Sequence, residues 1–109
     1  MEVEYTGRQT EVPAPIRKLA ERKLKKLEKL VGRPLRAHVI LTVDRHRQIA
    51  EVSVHSPRHE MTATEETEDM GASVGLVMDK LIRQAQRIVG KRQSHKKKDG
   101  SLGLTGREA

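Results

Sequence analysis

The chain contains no cysteine, no tryptophan and no phenylalanine, and Tyr5 is its single aromatic residue. Without thiols, disulfides, thiolate zinc sites and cysteine nucleophiles are excluded. With one ring, expected to face inward, there is no platform on which unpaired bases could stack, which removes the base-stacking nucleic-acid modules. No apolar run approaches the roughly 20 residues that span a bilayer. The start, Met1-Glu2-Val3-Glu4-Tyr5, lacks the basic-then-apolar order of a secretory signal, so the cytoplasm is the expected location. At 109 residues two independent cores would not fit. With so few rings, the single core has to be built from Leu, Val, Ile, Met and Ala. A charged fraction of 34% would by itself leave disorder open; periodicity closes that option for most of the chain.

Glu2 to Thr6 alternates polar and apolar residues and predicts a short strand ended by Gly7. Pro13 and Pro15 suit the first turn of a helix. From there Ile16, Leu19, Ala20, Leu24, Leu27, Leu30 and Val31 recur at helical steps up to Gly32 and Pro34. Ala37, Val39, Leu41 and Val43 then alternate with polar positions, as do Ala50, Val52 and Val54, and Met61 and Ala63. Turns fall at 44–48 and at Ser56-Pro57-Arg58, which predicts a three-stranded antiparallel meander with one wet face. The cluster Glu65, Glu66, Glu68 and Asp69 precedes a second helix with Asp69 as its N-cap. Met70, Val74, Val77, Met78, Leu81, Ala85 and Ile88 form the apolar stripe of that helix, which stops beyond Val89. The fold class is therefore α+β, β-α-β-β-β-α, with a four-stranded mixed sheet and two helices packed on one face. One domain covers 1–98, its basic helix end at 90–98, and a disordered tail covers 99–109.

Charge is unevenly divided among these elements. Residues 14–31 hold seven bases against two acids, and residues 70–98 hold eight against one. The two helices carry +12 of a chain whose net charge is +7, so everything else is net acidic. The bases are also striped: Lys18, Arg22, Lys25 and Lys29 follow helical steps away from the leucines, and Lys80, Arg83, Arg87 and Lys91 do the same on the second helix. Polar outer faces are ordinary on amphipathic helices, but fifteen bases against three acids repel one another without a counter-charged partner. Side by side, the stripes make a positive plate suited to phosphate backbones. A membrane surface fits less well, because the plate lacks Trp or Phe to insert. Physics alone favours RNA over DNA only weakly.

Nothing in the sequence suggests catalysis or a cofactor. The histidines at 38, 46, 55 and 59 have no helical spacing and no acidic ligand set, so a solvated role is expected. Asp44 and His46 share a turn with no nucleophile nearby, and Gly100, Gly103 and Gly106 lie in the tail instead of a strand-to-helix loop. Neither an enzyme, nor a metal site, nor a small-molecule substrate is expected.

With element order and charge in place, the chain resembles the ribosome hibernation promoting factor family, also called ribosome-associated inhibitor or sigma-54 modulation proteins, in its short form. The likeness rests on Val3-Glu4-Tyr5-Thr6-Gly7-Arg8, Arg22-Lys23-Leu24-Lys25-Lys26-Leu27-Glu28, Ala50-Glu51-Val52-Ser53-Val54, and Glu68-Asp69-Met70 leading to Met78-Asp79-Lys80-Leu81-Ile82-Arg83-Gln84. The resemblance implies a translation silencer that occupies the decoding region of the small ribosomal subunit, on the path of mRNA and tRNA, in stressed or stationary cells. Carried to this chain, it implies RNA contacts from Arg22, Lys25, Lys26 and Lys29, and from Lys80, Arg83, Arg87, Lys91 and Arg92. The implied partners are the small subunit and its rRNA, with the pairing of ribosomes promoted or blocked. The sequence departs from the family at Gly71, where relatives often place a tyrosine. A general double-stranded-RNA-binding protein and a transcription-modulating interaction module are the alternatives.

Overall fold

A computed structural model describes residues 1–93. Its elements run β1 (Glu2–Arg8), α1 (Ala14–Val31), β2 (Arg36–Asp44), β3 (Arg47–His55), β4 (Glu60–Thr67) and α2 (Met70–Gln93). The strands form one sheet in the order β1-β2-β3-β4, with β1 parallel to β2 and the other pairs antiparallel. This is the mixed sheet and α+β order that periodicity predicts.

Each local signal has a visible cause. α1 is entered through Pro13 at the N-cap, and Gly32 closes it in the left-handed region at φ 77°, donating its N–H to the Glu28 carbonyl at 2.8 Å. α2 is capped by Asp69, whose Oδ2 accepts the Ala72 N–H at 2.9 Å. Register places Ala37, Val54 and Met61 in one inward row and Val39, Val52 and Ala63 in the next, all buried. Ala20, Leu24 and Leu27 of α1 and Val74, Val77, Met78, Leu81 and Ala85 of α2 close over them with no exposure at all.

The structure also corrects several boundaries. β1 continues through Gly7 to Arg8. Gly7 is needed for closeness: a Cβ there would collide with the Thr10 carbonyl oxygen as the chain turns back at Gln9, φ 60°. The first hairpin turn is only Arg45-His46, with Arg45 at φ 61°, so Arg47 and Gln48 belong to β3. Glu65 and Glu66 lie in β4 and do not form a pre-helical acidic loop. Tyr5 is half-buried against the core, its hydroxyl donating to the Arg17 carbonyl at 3.4 Å. As expected, α2 continues past Gly90, to Gln93 among the described residues. The expected basic extension through Lys98 and the 99–109 tail lie outside the described residues.

Two core members escape the apolar pattern. Leu35 is buried directly after Pro34. Ser73 is fully buried within α2; its Oγ donates to the Gln48 carbonyl at 2.6 Å and lies 2.8 Å from the Thr67 hydroxyl. This pairing offsets the desolvation of a buried polar group and ties the start of α2 to β3 and β4.

The helices lie side by side and run in the same direction. Since β1, β2 and β4 all point one way, a helix returning from β1 and one returning from β4 have to be parallel. Contacts along their length agree: the space beside Gly71 faces Ile16, Lys23 reaches Asp79, and Val31 shares a small pocket with Ala85, Ile88 and Val89.

Candidate nucleic-acid interface

Ala20, Leu24, Leu27 and Val31 point α1 at the sheet, which turns Lys18, Arg22, Lys25, Lys26 and Lys29 outward, and all five are exposed. Lys18, Glu21, Arg22, Lys25, Lys26 and Lys29 surround a shallow, open depression of about 380 Å³. Five cations around one concavity hold a potential that suits a run of phosphates, and nothing in it is shaped to read a base edge. On α2 the same logic exposes Lys80, Arg83 and Arg87. Lys91 and Arg92 fall in the final turn of α2, and their side chains lie outside the described residues.

Because the helices are parallel, the plate is lopsided. α1 is basic from Arg17 to Lys29, whereas the first ten residues of α2, Met70–Asp79, contain no base. That bare half instead exposes Leu76. The positive surface therefore follows the length of α1 and widens onto α2 only from Lys80 onward. Two carboxylates pin part of it. Asp79 lies 3.9 Å from Lys23 across the helix interface, and Glu65 of β4 forms an ion pair with Lys80. Glu65 can reach Lys80 because register sets it beside Ala50 on the helix-covered face of the sheet. Arg17 is also engaged, its guanidinium 5.0 Å from the centre of the Tyr5 ring. Burial, with Glu21 adding to it, pushes the Tyr5 hydroxyl up to about 12. Of the expected contacts, Arg22, Lys25, Lys26, Lys29, Arg83 and Arg87 are exposed and lie in none of the ion pairs seen among the described residues.

The opposite face of the sheet has the other sign. Alternation turns Glu2, Glu4, Asp44, Glu51, Glu60 and Glu66 outward there, against Arg8, Arg36 and Arg47. Arg47 grips Glu66 through two hydrogen bonds of 2.9 Å, which hold the Glu66 carboxyl below its usual range. The histidines on this face are engaged with neighbours: His38 Nε2 lies 2.8 Å from the Thr6 hydroxyl, and His55 lies 3.4 Å from Glu60. Among the described residues no cluster of His, Asp or Glu could hold a metal, and no helix is long and apolar enough to cross a membrane.

The exposed cations are those that helical spacing selects. The Glu65–Lys80 and Asp79–Lys23 pairs went unforeseen, since the first needs the true end of β4 and the second the helix direction.

Residues 3–93 match the family model described as sigma 54 modulation protein / S30EA ribosomal protein. The chain is similar to a ribosome hibernation promoting factor of Azotobacter vinelandii, 37% identical over 84 residues that cover 77% of this chain and 78% of that one. It is similar to another of that name from Klebsiella oxytoca, 30% identical over 87% of this chain and 100% of the relative. Among solved structures, the N-terminal domain of Thermus thermophilus Protein Y superposes with a TM-score of 0.75 at 29% identity, covering 81% of this chain and 99% of that one. A ribosomal subunit interface protein from Coxiella burnetii gives 0.73 at 26% identity, over 81% and 97%.

Proposed function

The chain belongs to the sigma 54 modulation protein / S30EA ribosomal protein family, and from that premise we propose that it is a cytoplasmic, ribosome-binding translation silencer. It lays its helical layer on the rRNA of the small subunit, in the decoding region where mRNA and tRNA would pass, when cells are stressed or stationary. The contacts come from Arg22, Lys25, Lys26 and Lys29 of α1 and from Arg83, Arg87, Lys91 and Arg92 of α2, with Lys80 held in reserve by Glu65. The protein acts by occupancy and catalyses nothing.

One observation carries the reading: the two broad faces of the domain have opposite charge. The helical layer is crowded with bases, while the open sheet face holds twice as many acids as bases. Such a domain approaches a polyanion helices-first and is repelled sheet-first, so one face serves the RNA. The relatives named for ribosome hibernation and for the ribosomal subunit interface supply the particular polyanion.

The test is a sedimentation profile of ribosomes with and without the protein. The protein should travel with small subunits, and the same profile reports whether ribosomes pair. Reversing Arg83 and Arg87 to Glu should release it while the circular-dichroism spectrum stays unchanged. No cosedimentation even at low salt would sink the proposal. Competition with bulk duplex RNA distinguishes a general double-stranded-RNA binder, which would be stripped from ribosomes. Association that survives nuclease treatment would instead favour a protein-binding module.

A further inference from the structure

Strand β1 is one of the sheet's two outer strands, and its free edge matches itself. The Glu2 N–H donates to the Leu35 carbonyl at 3.0 Å, which fixes the parity of the parallel β1–β2 ladder. Glu2, Glu4, Thr6 and Arg8 turn their backbone groups toward β2, so Val3, Tyr5 and Gly7 turn theirs outward. Among the described residues no other backbone group bonds to these three. The return of the chain at Thr10 does not obstruct this edge. Thr10 sits where a Gly7 Cβ would point, on the helix-covered face shared by Val3 and Tyr5.

We propose that two copies of this chain associate through β1, antiparallel, with Tyr5 opposite Tyr5 of the second copy. That register is set by two independent features. It opposes Val3 with Gly7, Tyr5 with Tyr5 and Gly7 with Val3, so every outward residue falls in a hydrogen-bonded pair. Three donors from each copy then make six backbone bonds. It also opposes Glu2 of one copy with Arg8 of the other, twice, on the open face. Arg8 is exposed and lies in no ion pair among the described residues, while Glu2 reaches only the exposed Arg36 at 3.2 Å. Charged side chains usually protect a sheet edge from pairing; on β1 their order is complementary under a two-fold axis, so they select a partner. The outer strand β4 shows the contrast, since it carries Glu60, Glu65 and Glu66 and no base, and would set acid against acid.

The two-fold axis stands perpendicular to the sheet. The product is a continuous eight-stranded sheet, four strands from each copy, with both helical layers on the same side. A short strand-to-strand contact of this kind belongs with weak, concentration-dependent interfaces.

Sedimentation equilibrium of the full chain, free of RNA and at low ionic strength, tests the pairing. A reversible monomer–dimer equilibrium should appear between micromolar and millimolar protein. Val3→Pro removes one outward N–H per copy without touching the ladder to β2. Two lost bonds per dimer should weaken association roughly ten- to a hundredfold. Glu2→Arg and Arg8→Glu should each abolish self-association, and a mixture of the two variants should restore it as a heterodimer, since every pair in the mixture is again opposite in sign. Parent protein that stays monomeric at millimolar concentration overturns the proposal. So does a dimer whose dissociation constant Val3→Pro leaves unchanged, or a mixture that fails to recover.

Discussion

The pair between Lys80 and Glu65 makes a prediction that only the three-dimensional arrangement suggests. Among the described residues, six of the expected contact cations are exposed and outside the observed ion pairs: Arg22, Lys25, Lys26, Lys29, Arg83 and Arg87. If each neutralises one rRNA phosphate, the logarithm of affinity should fall against the logarithm of salt with a slope of roughly -4 to -5, and of roughly -6 to -7 with Lys91 and Arg92 engaged. Arg83→Ser should reduce the steepness by roughly 0.7–0.9, the share of one contact. Lys80→Ser should do far less, because Glu65 already holds that ammonium group. Glu65→Gln is near-isosteric and frees it, so binding should tighten and the slope steepen by roughly 0.7–0.9. In the Glu65→Gln background, Lys80→Ser should then behave like Arg83→Ser. The assay is cosedimentation with purified small subunits over a salt series, with four proteins forming a double-mutant cycle on Lys80 and Glu65. Equal losses for Lys80→Ser in both backgrounds would refute the idea that Glu65 holds Lys80 in reserve.

Three further outcomes are expected. Tyr5 is the only aromatic residue, so the phenolate absorbance titrates one group and should give a pKa of about 12 in the folded protein, falling toward the ordinary value in Glu21→Gln. Because the folded chain keeps that proton longer than the unfolded chain, this contribution is intact below about pH 10 and declines as pH rises toward 12, which urea melts across that window would show. Ser73→Ala leaves the Gln48 carbonyl and the Thr67 hydroxyl without their shared partner and should lower unfolding stability by roughly 1–3 kcal/mol in denaturant titration. Leu24→Ala opens a cavity at a fully buried site and should lose roughly 2–5 kcal/mol by the same measurement, with salt-dependent binding preserved in the fraction that remains folded.

Much of the fold was legible because it is written in short-range periods. The steps from Ile16 to Val31 and the alternation from Ala37 to Val54 predict elements whose buried residues the structure largely repeats. Gly32 and Asp69 act where turn and cap chemistry place them. The exposed cations were legible for the same reason, since a helix that buries Leu24 and Leu27 has to expose Lys25 and Lys29. What escaped depends on distant neighbours. Leu35 stands alone after a proline and belongs to no period, so only the finished core reveals its burial. Ser73 reads as a surface residue until Gln48 and Thr67 are brought to it. Glu65 looks like part of an acidic run before a helix, and becomes an inward partner of Lys80 only because β4 continues for three residues past Ala63 and Thr64. The direction of α2 relative to α1 follows from strand order, which no local window contains.

The parallel setting of α1 and α2 bears on how the protein is made. Two helices joined by a short loop would lie antiparallel and could meet early, but these two are separated by the whole meander, residues 32–69. Their contact closes the longest loop in the domain, so chain entropy disfavours it until β2, β3 and β4 have aligned the sheet beneath it. The basic plate thus has no local precursor: a chain emerging during its own synthesis carries α1 alone, half of a surface that needs the last element to be complete. If the plate binds rRNA as proposed, its full contact surface exists only once α2 has docked beside α1.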